Sequence, residues 1–170
     1  MNRFAGHTRR LVLCALFAAL MIAGKEALAF LPNVEVVSLF LIVYTAVYRA
    51  YALIPLYVFV AVEAVIYPYP VTVIMYLYVW LFLFGAVMLL PRDRTLPAPV
   101  YAVISGLFGL LFGVLCAPVQ AAYFWLNFEG TLAWIAAGLP FDLVHAAGNF
   151  ALGFLAYPLI RLLKRLEGTK

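Results

Sequence analysis

Ionisable side chains inside strongly apolar sequence demand attention first, because removing a charge from water is costly unless a partner or ligand compensates it. In this chain they are Lys25, Glu26, Glu63, Asp142 and His145. Polar neighbours in sequence include Asn33, Glu35, Ser38, Gln120, Asn127, Glu129 and Asn149. The densest group is Gly138-Leu-Pro-Phe-Asp-Leu-Val-His-Ala-Ala-Gly-Asn149. Asp142, His145 and Asn149 stand at i, i+3 and i+7, so a helix puts them on one face. Pro140 removes a backbone hydrogen bond just before them and can bend that helix. An Asp within reach of a His fixes the ring tautomer and presents the other nitrogen to a ligand. The same pair can equally hold two helices together, and the residues alone leave both roles open.

Other candidates surround this group. Lys25 and Glu26 are adjacent and point to different faces, so Lys25 has Glu63 or Asp142 as a partner, or extends its ammonium outward. Asn33 and Glu35 follow Pro32 in a short turn that either gates a pocket or caps the next helix. Tyr67, Tyr69 and Trp125 fall at a span boundary, where an aromatic belt is the default role and a stacking surface for a flat ligand the second. There is no Walker-type loop, no zinc spacing and no Gly-x-Ser-x-Gly elbow. The expectation is therefore a protein that is not an enzyme, with no catalytic residue, metal or cofactor. Cys14 and Cys116 lie in apolar runs and are expected to be unpaired.

The elements that position these residues follow from composition. Of 170 residues, 68% are hydrophobic and only 11% charged, against roughly half and a quarter in a soluble domain. The surplus apolar surface must face lipid. The expected fold class is all-α, a polytopic membrane protein with six transmembrane helices. The chain 1–170 reads as a single transmembrane domain with spans at 9–30, 34–48, 50–66, 71–90, 100–126 and 131–163. The second and third are short for a full crossing, which takes roughly 20 residues. The N-terminal Arg residues and apolar run resemble a signal peptide, but the run is long for one, and it is expected to remain as the first helix.

Charge supplies an independent count. With six spans, Arg3, Arg9, Arg10, Arg49, Arg92, Arg94, Arg161, Lys164, Arg165 and Lys170 fall on one face, and only Lys25 of the eleven Lys and Arg does not. The positive-inside rule then puts both termini in the cytoplasm. The basic excess is explained by orientation and anionic lipid, so no nucleic-acid partner is expected. Lys25, Asn33, Glu35, Glu63, Tyr67, Gln120, Trp125, Asp142, His145 and Asn149 lie in the outer half or near the middle. That is the expected distribution for a pocket open to the outside, whereas a channel needs polar groups at every depth.

Small residues recur at four-residue spacing in the first span, at Ala15, Ala19 and Ala23, and allow close helix approach. Gly106, Gly109 and Gly113 form a second stripe, suited to internal packing. The Ala15-x-x-x-Ala19 pattern, the six-span body, Leu31-Pro-Asn-Val-Glu35, Phe141-Asp-x-x-His145-x-x-Gly-Asn149 and Tyr157-Pro158 together resemble the substrate-binding (S) component of energy-coupling factor (ECF) vitamin transporters, most nearly those of the cobalamin-type branch.

The resemblance implies a prokaryotic plasma-membrane protein that binds a vitamin-type small molecule, with a corrinoid as the leading expectation. It further implies docking through Ala15, Ala19 and Ala23 on a transmembrane coupling subunit served by two ATPase subunits, which agrees with the missing nucleotide motif. The pocket residues are not part of that resemblance; they come from depth and polarity. The competing reading is a small scaffold membrane protein of the MreD type, and an intramembrane enzyme is a third.

Overall fold

The computed structural model describes residues 3–168, and side chains from Thr8 onward. Lys170, assigned above to the basic face, lies outside the described residues, as does the side chain of Arg3. The described chain is helical throughout: α1 (Arg3–Ala27), α2 (Val37–Tyr48), one turn of 3-10 helix (Arg49–Ala52), α3 (Leu53–Ile66), α4 (Pro70–Tyr76), α5 (Val79–Met88), α6 (Ala98–Phe124), α7 (Phe128–Gly153) and α8 (Ala156–Leu166). Four stretches are long and apolar enough to cross a membrane: Val37–Ile66, Pro70–Met88, Ala98–Phe124 and Phe128–Gly153. These make the chain a membrane protein by length and composition. The uncharged part of α1 runs only from Leu11 to Gly24, between Arg9-Arg10 and Lys25-Glu26.

Val37–Ile66 is not one rod. Cys14 of α1 meets Tyr44, and a Cβ on Gly24 would strike Val36, so α1 and α2 run antiparallel. Arg10 reaches Tyr51, and Lys25 pairs with Glu63, so α1 and α3 run parallel. The backbone therefore reverses at Arg49, which takes a positive φ of 57°. A residue with a Cβ is strained there. Its guanidinium donates to the carbonyls of Val87, Met88 and Leu90, closing the C-terminal end of α5. The carbonyls of Met88 and Leu90 are ones that a helix end leaves unpaired, and a cation is favoured beside them. Asn33 (φ 60°) and Trp125 (φ 54°) make the corresponding reversals at the other end.

Two expected spans are each divided. The fourth breaks at Leu77-Tyr78, between α4 and α5. Tyr57 satisfies the break by donating its hydroxyl to the Leu77 carbonyl at 3.0 Å, and Tyr78 ties it to α6 by donating to the Leu115 carbonyl at 2.5 Å. The sixth ends at Gly153, and α8 is a separate helix. Pro158 has no N–H to return to Phe154, so the helical ladder is interrupted there. Pro140, by contrast, lies inside an unbroken α7, and Pro118 inside an unbroken α6.

The core is aliphatic and aromatic, with Met21, Leu41, Ile42, Tyr44, Leu56, Phe59, Leu83 and Ile160 fully buried. Large apolar side chains also cover the outside, among them Leu11, Val65, Phe82 and Leu107. A surface of that kind is solvated by lipid, not water. The closest helix pair is α6 with α7. A Cβ on Gly109 would lie 2.9 Å from the His145 carbonyl, and one on Gly153 would lie 2.6 Å from the Ala102 Cα. The glycine stripe on α6 is thus used for internal packing, as its spacing suggests.

Candidate functional site

At the end of the bundle that carries Lys25 and Glu63, a cavity of about 280 Å³ opens beneath the segment joining α1 to α2. Residues 28–35 form its roof, and Tyr76, Trp80, Phe112 and His145 form its walls. The roof is shaped locally. Pro32 ends any helical continuation from α1, Asn33 turns the chain with positive φ, and Glu35 then caps α2 by accepting the Ser38 backbone N–H at 2.8 Å. Glu35 therefore supplies the cap that the sequence offered to Asn33.

Glu35 has a second task. Its other carboxylate oxygen lies 3.3 Å from His145 Nε2. Burial pushes the Glu35 carboxyl up, but His145, by hydrogen bond and by charge, and the Ser38 hydrogen bonds outweigh that and hold it below its ordinary 4.5. The carboxylate that orients His145 is thus Glu35, not Asp142. Asp142 points instead at the glycine stripe, accepting the Gly113 N–H at 3.1 Å. Glycine at 113 is what admits it, since a Cβ there would collide with the carboxylate. The His145 ring also meets Phe112 edge-on, with centroids 5.0 Å apart.

A charged group adjoins the cavity. Lys25, which lines it, pairs with the buried Glu63 and lies 3.4 Å from Glu26. Its ammonium also stands 4.3 Å above the Tyr67 ring. Tyr67 donates its hydroxyl to Glu26 at 2.9 Å. That hydrogen bond to a carboxylate, followed by desolvation, raises the Tyr67 phenol above its ordinary range. Lys25 thus takes Glu63, one of the two partners its sequence position allowed, and Asp142 is left to α6.

Trp80 holds the most informative vacancy. Only 3% of its surface is exposed, it lines the cavity, and its Nε1–H has no acceptor. A buried indole N–H without a partner is disfavoured unless a ligand supplies one. Glu63 Oε1 is likewise buried without a donor.

The ten expected site residues separate into groups. Lys25, Asn33, Glu35 and His145 line the cavity. Glu63 and Tyr67 support Lys25 from outside it. Asn149 is buried and donates to Ser38 Oγ at 3.2 Å, joining α7 to α2. Asp142 fastens α7 to α6. Gln120, on α6, is not part of this wall, and its Oε1 is buried without a partner. Trp125 is 92% exposed at the turn after α6, far from a stacking role in this cavity. Sequence reasoning missed Tyr76, Trp80 and Phe112. The signal was present as aromatic pairs four apart: Phe108–Phe112, which a helix sets on one face, and Tyr76–Trp80, which flank the break between α4 and α5. Ring contacts join them, with Trp80 5.5 Å from Phe108 and 5.9 Å from Phe112.

The alanines of α1 fall on the outward face. Ala15, Ala19 and Ala23 are exposed, while Cys14, Phe17, Ala18 and Met21 are buried. They are therefore not spent on packing inside the bundle. Among the described residues no group of three His, Cys, Asp or Glu could hold a metal ion. No protein-family model, curated protein or solved structure gives a significant match to this chain.

Proposed function

We propose that this chain is the substrate-binding component of an ECF-type ABC transporter, capturing a vitamin or related micronutrient for ATP-driven uptake. The observation that carries this reading is the roofed cavity with an unpartnered Trp80 N–H, Lys25 and a Glu35–His145 pair. Aromatic walls with a few converging polar groups are the usual make-up of a small-molecule site. In this reading the six alternating strokes, α1, α2, α3, α4–α5, α6 and α7, each cross a prokaryotic plasma membrane. The basic end is cytoplasmic, both termini lie there, and the cavity faces outward.

The cavity dimensions bear on the substrate. About 280 Å³ suits a single flat heterocycle. A corrinoid is larger, and its capture requires residues 28–35 to move aside. Stacking against Tyr76, Trp80 and Phe112 and an acceptor for the indole N–H favour the smaller ligand. The exposed Ala15, Ala19 and Ala23 are available to a transmembrane coupling subunit, with two ATPase subunits supplying energy. A scaffold of the MreD type has no need for an unsatisfied donor in an aromatic cavity.

Binding of a vitamin panel to the purified protein tests the proposal directly. At least one ring-containing vitamin is expected to bind, and His145→Ala to weaken that binding. A panel with no binder, from corrinoids to single-ring vitamins, refutes it.

A further inference from the structure

A second, larger cavity lies at the opposite end of the bundle and plays no part in capture at the outer site. It spans about 500 Å³ between the start of α1, the reversal from α2 to α3, the loop after α5 and the end of α8. Arg9, Arg10, Arg49 and Arg92 all line it, with Glu167 as the sole acidic side chain in the wall. Arg9 uses that carboxylate, at 2.9 Å. Arg10 has only a hydroxyl partner, Tyr51 at 3.2 Å, whose ring it also overlies. Arg49 donates to neutral carbonyls at the end of α5. Among the described residues neither Arg10, Arg49 nor Arg92 has a carboxylate partner. One anion thus faces four cations around a half-open cavity.

We propose that this cavity binds a phosphate group. Three guanidiniums without counter-charges favour an anion, and their planar donor forks match the tetrahedral array of phosphate oxygens better than a lone ammonium does. The cavity lies at the end where the amphipathic α8 and the Arg92–Arg94 loop meet the bundle, which in the proposed six-span orientation is the depth of lipid phosphates. Two sources present the same chemistry: the headgroup of an anionic phospholipid, or a free phosphate.

The test uses the full chain in both settings. In nanodiscs of mixed phosphatidylglycerol and phosphatidylcholine, native mass spectrometry counts the lipid retained on release. In neutral detergent without lipid, inorganic phosphate is titrated and followed by phosphorus NMR line broadening. Wild-type protein is expected to retain phosphatidylglycerol over phosphatidylcholine if the source is lipid, or to broaden the phosphate signal if it is a free anion. Arg10→Gln and Arg92→Gln should each weaken the positive arm about fivefold, the effect of removing one basic charge near such a group. Arg92 stands in an exposed loop, so R92Q carries the test if R10Q does not fold. Arg161→Gln removes a charge from α8 outside the cavity and should change little. Loss of both arms in the wild type overturns the proposal. So does an R161Q effect equal to that of R92Q, which would mark diffuse attraction to a basic surface.

Discussion

At the residue scale, the aromatic cavity sets two side chains against each other in kind. Trp80 is a neutral donor with no acceptor, and Glu35 is a charged acceptor with its donors already in place. Trp80→Phe keeps an aromatic wall but removes the N–H. Ligand affinity is expected to fall about five- to tenfold, the range of one hydrogen bond, while the melting temperature holds or rises. Calorimetric titration with the bound vitamin measures the first, and thermal unfolding in detergent the second. Glu35 behaves oppositely, because its folded pKa is depressed below 4.5. A depressed carboxyl contributes stability that is fully present above its unfolded value and is lost as pH falls through the folded value. Thermal unfolding across the acid range should therefore show a drop below about pH 4.5 that is shallower in Glu35→Gln. Identical pH profiles for the two proteins would contradict the pairing with Ser38 and His145.

At the element scale, the sequence told more about where helices stop than about how they meet. Pro70 opens α4, and Pro91 and Pro97 lie between α5 and α6, because proline acts locally, on its own N–H and its neighbour's conformation. The breaks at Leu77 and Phe154 were harder to see. The first is stabilised by Tyr57 and Tyr78, whose partners are remote in sequence, and no local pattern reports a tyrosine reaching across to another helix. The Asp142–His145 spacing was read as a pair for a related reason. Both residues do share one face, but Asp142 is drawn to the groove at Gly113 and His145 to Glu35 from a different segment. Helical periodicity fixes a face and leaves the choice among neighbours on it to tertiary packing. The α6–α7 seam is the element that converts this packing into site geometry. Gly109→Ala would place a methyl group 2.9 Å from the His145 and Ala146 backbone and force α7 outward. A loss of about 1–3 kcal/mol is expected, typical of overpacking, with weaker ligand binding because His145 rides on the same helix. Unfolding curves and titrations on the variant measure both. Unchanged affinity despite lost stability would separate the seam from the site.

At the scale of the whole molecule, the two ends differ in charge and in what they enclose. One end gathers Arg9, Arg10, Arg49 and Arg92 around a wide cavity; the other places Lys25, Glu63, Glu35 and His145 at or beside a narrower aromatic one. This polarity was legible from the distribution of Lys and Arg alone. The aromatic lining was not, because in a chain with 16% aromatic residues a ring on a cavity wall looks the same in sequence as a ring facing lipid. Between the two ends runs the exposed alanine face of α1, and it supplies the last prediction. Small side chains at four-residue spacing let another helix approach to backbone distance, and a large ring blocks that approach without entering the core. Ala19 is exposed while its neighbours Phe17, Ala18 and Met21 are buried. Ala15→Trp and Ala19→Trp should therefore leave ligand affinity and unfolding temperature close to those of the wild type. In cells carrying the coupling and ATPase subunits of the proposed transporter, they should abolish most uptake of the labelled ligand and reduce co-purification of those subunits. Equal loss of binding and uptake would assign the alanines to the bundle itself, and full uptake would remove α1 from the docking surface.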